Sequence, residues 1–569
     1  MARSNRFEIM LPVLFTIFSI SSTAYADTTA AALQFSFPLV DHPVYAYLKR
    51  LETTGDIALQ SGTRPYLGFM HHPIRLEGDT FFDREFQRYR DEAAANMAVV
   101  NQDESSRESG WRKLRAKAGI PSDRMPWLYR TGFHLASWQY DSTFSAAIQP
   151  VYGLETIRTD DERGTVLRFT SGLRVEGGYA QRLHFMVDFR DHTEAGNGPY
   201  WTRDRLYEDR WAAVDLKGGK TTSYDISESF LQYYGRDLSL SAGRGRHHWG
   251  PAQFGSLFLN SRMPPFDYLR FDGTLESSRE QAVYYTFLHG WLQSSVPAET
   301  LYTNPGGRPR TLNSQKYLSA QRLELRPRTN LLFGFSQGVV YGDRGVQLSY
   351  LTPLSFLYSV QHANEDKDNM LLGFDAAWRP ARGIRIYGEF LFDDIIVSRL
   401  TTSSGDNKHA YTLGVNAAGT QRFWRHFDWT ANYTRVRPFV YSHIFATNVY
   451  SHWTSPIGYT LQPNSDYLAS ELRGTYYPFQ FTFHVSRQNH GENTAERNVG
   501  GDIYAPLYDA RKTGIYPFLD GRLVRTTHIG LRIHWELLPG LRLDASGTHI
   551  QTTGADHRVE ICGGFGWNL

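Results

Sequence analysis

Along most of this chain, apolar and polar residues alternate in short segments joined in pairs by tight turns. Near the C-terminus, Ile529, Leu531, Ile533, Trp535 and Leu537 alternate with His528, Gly530, Arg532, His534 and Glu536. The turn Leu538-Pro539-Gly540 leads into Leu541, Leu543 and Ala545, which alternate with Arg542 and Asp544. Period-two alternation sends successive side chains to opposite faces of a strand. The same grammar recurs at Leu183, Phe185, Val187 and Phe189, at Phe374, Ala376 and Trp378, and at Phe479, Phe481, Phe483 and Val485. Around Arg379-Pro380-Ala381-Arg382-Gly383 it predicts a hairpin whose second strand carries Ile384, Ile386, Gly388, Phe390 and Phe392 on one face, and Arg385, Tyr387 and Glu389 on the other. In a soluble sandwich the apolar face is a core. In a membrane barrel it faces lipid, and the polar face lines the lumen.

The N-terminus separates these two readings. Arg3 and Arg6 precede a mostly apolar stretch from Ile9 to Ile20, followed by Ala24-Tyr25-Ala26, the order of a secretory signal peptide over residues 1–26. No later apolar run approaches the ~18–20 residues of a spanning helix, and the mean hydropathy is −0.44. The mature chain is therefore expected to be exported and to cross a membrane, if at all, with strands.

Composition sharpens this. Aromatic residues make up 14% of the chain, as girdles at two membrane interfaces require. The single cysteine, Cys562, excludes an internal disulfide framework. A net charge of +2 and the lack of a long basic run point away from nucleic acid. Basic residues are strongly biased, with only 9 Lys among the 60 Lys and Arg. Arginine pairs bidentately with carboxylates, which fits either charge ladders across a lumen or a surface that meets an anionic polymer.

Residues 27–125 read as a mainly helical periplasmic module. Val44, Tyr45, Leu48 and Leu51 recur at helical spacing between Pro43 and Gly55. Phe82, Phe86, Tyr89, Ala93 and Met97 form a second stripe, and Ser106 to Lys117 a weaker third. Residues 126–569 read as an all-β transmembrane unit, an antiparallel outer-membrane β-barrel of about 16–18 strands at ~10 residues per strand. Residues 191–226, 288–316, 436–466 and 488–524 lack sustained alternation and read as long connections. Phe565, Trp567 and Leu569 alternate as a strand that closes the barrel.

The stretch Gly243-Arg244-Gly245-Arg246-His247-His248-Trp249-Gly250-Pro251, continuing through Gly255 to Asn260, resembles the Wzi family of capsule-assembly proteins. A second similarity runs from Leu351-Thr352-Pro353-Leu354-Ser355-Phe356 through Asp368-Asn369, Gly373-Phe374-Asp375 and Arg379-Pro380 to Asp393-Asp394. The helix between Pro43 and Gly55 is similar to the family's opening module. The resemblance implies an outer-membrane barrel of 18 strands with a helical module on its periplasmic side. It also implies a lectin-like role in attaching or organising capsular polysaccharide, without catalysis. On this reading Gly250, Pro251, Gly255, Pro353, Asp368 and Asn369 are motif residues with structural roles.

The candidate polysaccharide contacts are Arg244, Arg246 and Trp249, an indole face flanked by guanidinium groups suited to acidic sugars. The alternative is a sharp inward turn at Gly250-Pro251 that packs Trp249 inside the lumen and places the arginines in a charge ladder. Asp368-Asn369 and Asp393-Asp394 could bind sugar hydroxyls or calcium, but a calcium site needs ~6–8 oxygen ligands, and ordinary turn chemistry explains them as well. His71-His72 and His247-His248 lack a third ligand at metal-site spacing, so neither a metal nor a cofactor is expected. No Gly-x-Ser-x-Gly motif or placed nucleophile and base is visible, so no enzyme is expected. The expected partners are capsular or extracellular polysaccharide, outer-membrane lipid and lipopolysaccharide, and the barrel-assembly machinery during biogenesis. The competing reading is an outer-membrane channel for small solutes or polysaccharide export, and the two differ in whether the lumen is closed.

Overall fold

The computed structural model describes residues 44–65 and 136–568, apart from 141–142, 161–163, 197–214, 218–220, 304–308, 395–404, 507–513, 539–540 and isolated single positions. The expected signal peptide and the second and third helical stretches lie outside the described residues. The first helix forms where the spacing places it, as α1 (Val44–Thr54). It stops at Gly55, whose φ of +86° no L side chain adopts readily. The Gly55 and Asp56 N–H groups both close onto the Leu51 carbonyl at 3.0 Å.

Eighteen antiparallel strands among the described residues close into a barrel. In chain order they are β1 (Phe144–Thr159), β2 (Thr165–Tyr179), β3 (Leu183–Gly196), β4 (Thr221–Tyr234), β5 (Leu238–Gly245) and β6 (Phe266–Ser277). Then come β7 (Ala282–Thr303), β8 (Pro309–Arg328), β9 (Leu331–Gly342), β10 (Asn369–Ala381), β11 (Ile384–Asp394) and β12 (Lys408–Ala418). The last six are β13 (Phe427–Val436), β14 (Ser465–Tyr476), β15 (Phe479–Glu492), β16 (Arg522–Leu538), β17 (Leu541–Thr552) and β18 (Arg558–Asn568). Each pairs with its neighbours in sequence, and β18 closes the ring on β1 from Glu560↔Thr159 to Asn568↔Val151. The segment Ala136–Tyr140 turns back onto the lower half of β1, Phe144 to Ile148, and continues the edge that β18 leaves. Among the described residues no helix is long and apolar enough to cross a membrane. The strands make the span.

Face assignment follows the alternation. Leu183, Val187, Phe374, Trp378, Ile384, Ile386, Phe479, Phe483, Ile529, Leu531, Ile533, Trp535 and Leu537 are all exposed, whereas Arg385, Tyr387 and Glu389 are buried inward. In water that belt of exposed apolar side chains would carry a large hydration cost; facing lipid it carries none. The inward face holds ion pairs of the kind a charge ladder across the lumen requires: Arg168 with Glu155 and Glu194, Arg174 and Arg190 with Asp188, Arg270 with Asp272, and Arg473 with Glu471.

Three expected connections differ in extent from the sequence expectation. The 288–316 stretch is not a loop but the upper part of the β7–β8 hairpin, whose register shifts between Gln293, Pro297 and Leu301. Bulges there move side chains from one face to the other and erase the alternation. Residues 191–226 and 488–524 also contain strand: β3 runs to Gly196, β4 starts at Thr221, β15 ends at Glu492 and β16 starts at Arg522. The connection between β13 and β14 spans 437–464, close to its expected bounds.

Replacing lipid-facing Phe390 by Arg is expected to destabilise the barrel by about 2–4 kcal/mol, the cost of a cation near the bilayer midplane. A reversible folding titration in liposomes measures this. A loss no larger than that of an exposed-loop substitution such as Thr494→Arg would mean that the strand faces are misassigned.

Candidate functional site: a lumen closed from both ends

The connection 246–265, between β5 and β6, folds into the barrel rather than over it. It turns at Trp249-Gly250-Pro251 and comes back through Ser256 to Asn260, with the Trp249 N–H donating to the Leu259 carbonyl at 2.9 Å. Gly250 has a φ of +129°, and a Cβ there would collide with the Glu389 carboxylate. That carboxylate, on β11, is the anchor of the loop: it accepts the Ala252 N–H at 3.0 Å and the Leu257 N–H at 2.9 Å. Gln253 Oε1 accepts from Asn416 and Thr430 at 3.0 and 2.8 Å, which ties the turn to β12 and β13. A buried carboxylate is tolerated here because backbone donors replace the water it lost.

From the short-turn end, α1 and the residues after it enter the same lumen. Short turns mark the periplasmic end of an outer-membrane barrel. Arg50 pairs with Asp428 of β13, the Gly383 N–H donates to the Thr53 carbonyl at 2.8 Å, and Arg379 donates to the Glu52 and Ile57 carbonyls at 2.6 and 2.9 Å. Further in, Glu324 of β8 accepts the Gly62 N–H at 2.7 Å and the Ser61 and Thr63 hydroxyls. Thr63 and Arg64 then pair antiparallel with Trp249 and His248. The N-terminal segment therefore adds a strand to the inward loop, and the two plugs meet.

A third element seals the upper side. The 437–464 loop lays Tyr441, Tyr450 and Tyr459 across the lumen, all buried. The Tyr441 and Tyr450 hydroxyls donate to the Leu257 and Phe258 carbonyls, each at 2.7 Å, and the Asn260 N–H donates to the Ile457 carbonyl at 2.8 Å. Gly255 (φ +138°) lies against the Tyr459 ring, where a Cβ would sit 3.0 Å from it.

The plugs bury histidines. Burial first, then the charges of Arg64 and Lys49, pushes His248 down to about 3. His452 falls to about 3 through burial and then the charges of Arg244 and Lys316. Its Nδ1 accepts the Gln293 N–H at 2.9 Å, a bond that exists only for the neutral ring. A histidine whose folded value lies below its unfolded 6.5 contributes stability that is complete above pH 6.5 and drains away as pH falls toward about 3. Acidification across that window is expected to loosen the plugs before the barrel ladders. Rising protease sensitivity of the 246–265 loop, blunted in a His248→Gln/His452→Gln variant, checks this; equal acid sensitivity in that variant would count against it.

The sequence candidates do not come together on one surface. Trp249 is 1% exposed and stacks on Phe258 with ring centroids 5.7 Å apart, so no sugar reaches its face while the plug is in place. Arg246 pairs with inward-facing Glu228 at 2.5 Å. Arg244 belongs to the outward face of β5 and pairs across to Asp267 at 3.0 Å, on the outer wall near the upper rim. Gly250, Pro251 and Gly255 shape the inward turn. Asp368 is buried against Arg344 at 2.5 Å and the Tyr350 hydroxyl at 2.7 Å, while Asn369 donates to the Asn448 carbonyl at 2.9 Å. Asp393 accepts the Tyr441 N–H at 2.5 Å. Pro353 lies in an exposed stretch outside the barrel wall. Among the described residues no group of three or more His, Cys, Asp or Glu could hold a metal. Glu324 and the three lumen tyrosines were not singled out by sequence reasoning; Glu389 was placed on the lumen face beside Arg385 and Tyr387, but not as the anchor of a loop.

A barrel plugged from both ends and belted with apolar side chains is an outer-membrane protein of the occluded kind. The chain belongs to the family described as capsule assembly protein Wzi, whose model matches residues 131–517. The structure is similar to that of Wzi from Escherichia coli, described as a carbohydrate-binding β-barrel of the outer membrane involved in group 1 capsule assembly. The identity is 12%, 94% of this chain and 99% of that one are covered, and the TM-score is 0.53. OccAB4 of Acinetobacter baumannii follows with 9% identity, 75% and 98% coverage and a TM-score of 0.41, too distant to bear on function. No curated protein matches the chain in sequence.

Proposed function

We propose that this protein binds and organises capsular or extracellular polysaccharide at the outer face of the outer membrane, without catalysis. The observation that carries this reading is the occupied lumen. Three segments hydrogen-bonded to the wall and to each other leave the outer surface, rather than a pore, as the working part. Family membership and the carbohydrate binding attributed to the E. coli protein support it. The exposed guanidinium groups of Arg497 and Arg522, paired with Asp520 and Glu492 on the 493–521 loop and its edge, offer contacts for acidic sugars. Arg244, on the rim, is the one of the three sequence candidates placed to meet a polymer from outside. Such a surface holds a long chain through many weak contacts. The apolar belt sits in outer-membrane lipid, and the barrel-assembly machinery inserts it.

Deleting the gene is expected to leave polymer synthesis intact while polymer moves from the cell surface into the medium. An Arg497→Ala/Arg522→Ala variant that assembles normally should release part of it. Unchanged cell-bound polymer in the deletion strain, with ion conductance through the purified wild-type protein in planar bilayers, would replace this reading with a channel.

A further inference from the structure

The connection between β9 and β10 neither enters the lumen nor crowns the barrel. It folds down over the outside wall. Its helices α2 (Leu348–Leu351) and α3 (Leu357–Ala363) cover Tyr317, Val339, Tyr341 and Met370. On strands β8 to β10 these residues belong to the same outward series as lipid-facing Phe333, Phe374 and Trp378. The outer side of this strap is apolar and open: Leu348 is 78% exposed, Leu354 68% and Phe356 49%. From Gly345 to Gln361 the sequence has no Asp, Glu, Lys or Arg, whereas Asp343 and Arg344 precede it and Glu365, Lys367 and Asp368 follow. Arg344 and Asp368 pair at 2.5 Å and clasp the two feet together.

The strap reaches deep. The Leu354 N–H donates to the Tyr285 hydroxyl at 3.2 Å, and Tyr285 is cross-strand from Leu323, close to the short-turn end of β8 at Arg328. At 3.4 Å per residue and a strand tilt near 40°, Leu323 stands only ~13 Å above that end, inside an apolar band ~25 Å tall. Irregular backbone survives at that depth only if its polar groups find partners in protein. The wall supplies them through polar side chains that would be misplaced on a bare lipid face. Ser319 donates to the Tyr350 carbonyl at 2.7 Å, Gln337 donates to the Ser355 carbonyl and accepts the Leu357 N–H at 3.1 Å each, and Gln321 donates to the Ser355 hydroxyl at 3.4 Å.

We infer that the strap 345–361 is embedded in the outer leaflet, with Leu348, Leu354 and Phe356 in contact with the acyl chains of the surrounding lipid. Its apolar surface is continuous with the lipid belt of the barrel, its charges are confined to the two feet, and its backbone is satisfied from behind.

The test places a bimane fluorophore at Leu348→Cys or Phe356→Cys in a Cys562→Ser background, with the full chain reconstituted in phosphatidylcholine vesicles. Controls are Leu531→Cys on the lipid-facing wall and Thr494→Cys on an exposed loop. The expected result is a fluorescence loss to doxyl-labelled phosphatidylcholine that matches the Leu531 control, together with the same shielding from aqueous iodide. Quenching by iodide at the level of the Thr494 control would put the strap in water and overturn the inference. Protection from both quenchers would also overturn it, because protein, such as a second copy of the chain, would then cover the strap. Heat-modifiable gel migration of each variant confirms that the barrel is folded before quenching is read.

Discussion

Glu389→Ala is expected to release the inward-folded loop and let ions through the barrel. The carboxylate accepts two buried N–H groups, from Ala252 and Leu257, on either side of the turn that fills the lumen. Without it two buried N–H groups lose their acceptor, a penalty of about 1–3 kcal/mol each, reduced by the relief of the carboxyl group's own desolvation. The ladder bonds of β11 do not depend on this side chain, so the barrel stays assembled while its contents loosen. Glu389→Gln keeps one carbonyl oxygen as acceptor and should lose about half as much. Single-channel recording in planar bilayers and thermal melting measure the two effects. An alanine variant that stays silent and melts like the wild type would show that the loop is held by its other contacts.

Arg322→Met should also be strongly destabilising inside the barrel. Arg322 donates to Asp375 at 2.6 and 3.0 Å, to Glu324 at 3.0 Å and to Ser336 at 2.9 Å, and its side chain is only 1% exposed. Its loss strands two buried carboxylates, a defect worth about 3–5 kcal/mol. Glu324 is also the residue that receives Gly62 and its neighbours, so the N-terminal segment should detach at the same time. Adding Glu324→Gln and Asp375→Asn removes the stranded charges and should restore much of the loss. Urea titration in liposomes reads the energy, and limited proteolysis before residue 65 reads the detachment. A loss no greater than that of exposed Arg522→Met, whose pair with Glu492 is worth at most about 1 kcal/mol, would contradict this account.

What the sequence made legible was local or periodic. α1 could be placed because Pro43, the stripe through Val44, Leu48 and Leu51, and Gly55 are all contained within one short stretch. The strands were visible because lipid and lumen impose opposite chemistry on alternate residues. Periodicity failed at Pro297, where bulges break the link between position and face. The site was less legible because it is built from pairings between distant segments. Glu389 and Ala252 are far apart in the chain, and nothing local to either announces the other. Trp249-Gly250-Pro251 admitted both a sugar platform and an inward-packed turn, and the choice between them depends on Phe258 and on loops contributed by other hairpins. The course of the strap went unseen because helices of 4 and 7 residues leave no sustained period to read.

The seam of the barrel carries one more consequence. The last strand meets the first only from Val151 upward, and below that point the edge of β1 is completed by Ala136–Tyr140. Unpaired backbone facing hydrocarbon is among the costliest defects a membrane protein can carry. The eighteen strands therefore form a cylinder with a notch that only the residues leading out of the N-terminal region can fill. Sealing the wall along that seam is thus the work of residues that precede the first strand, not of the eighteen strands alone.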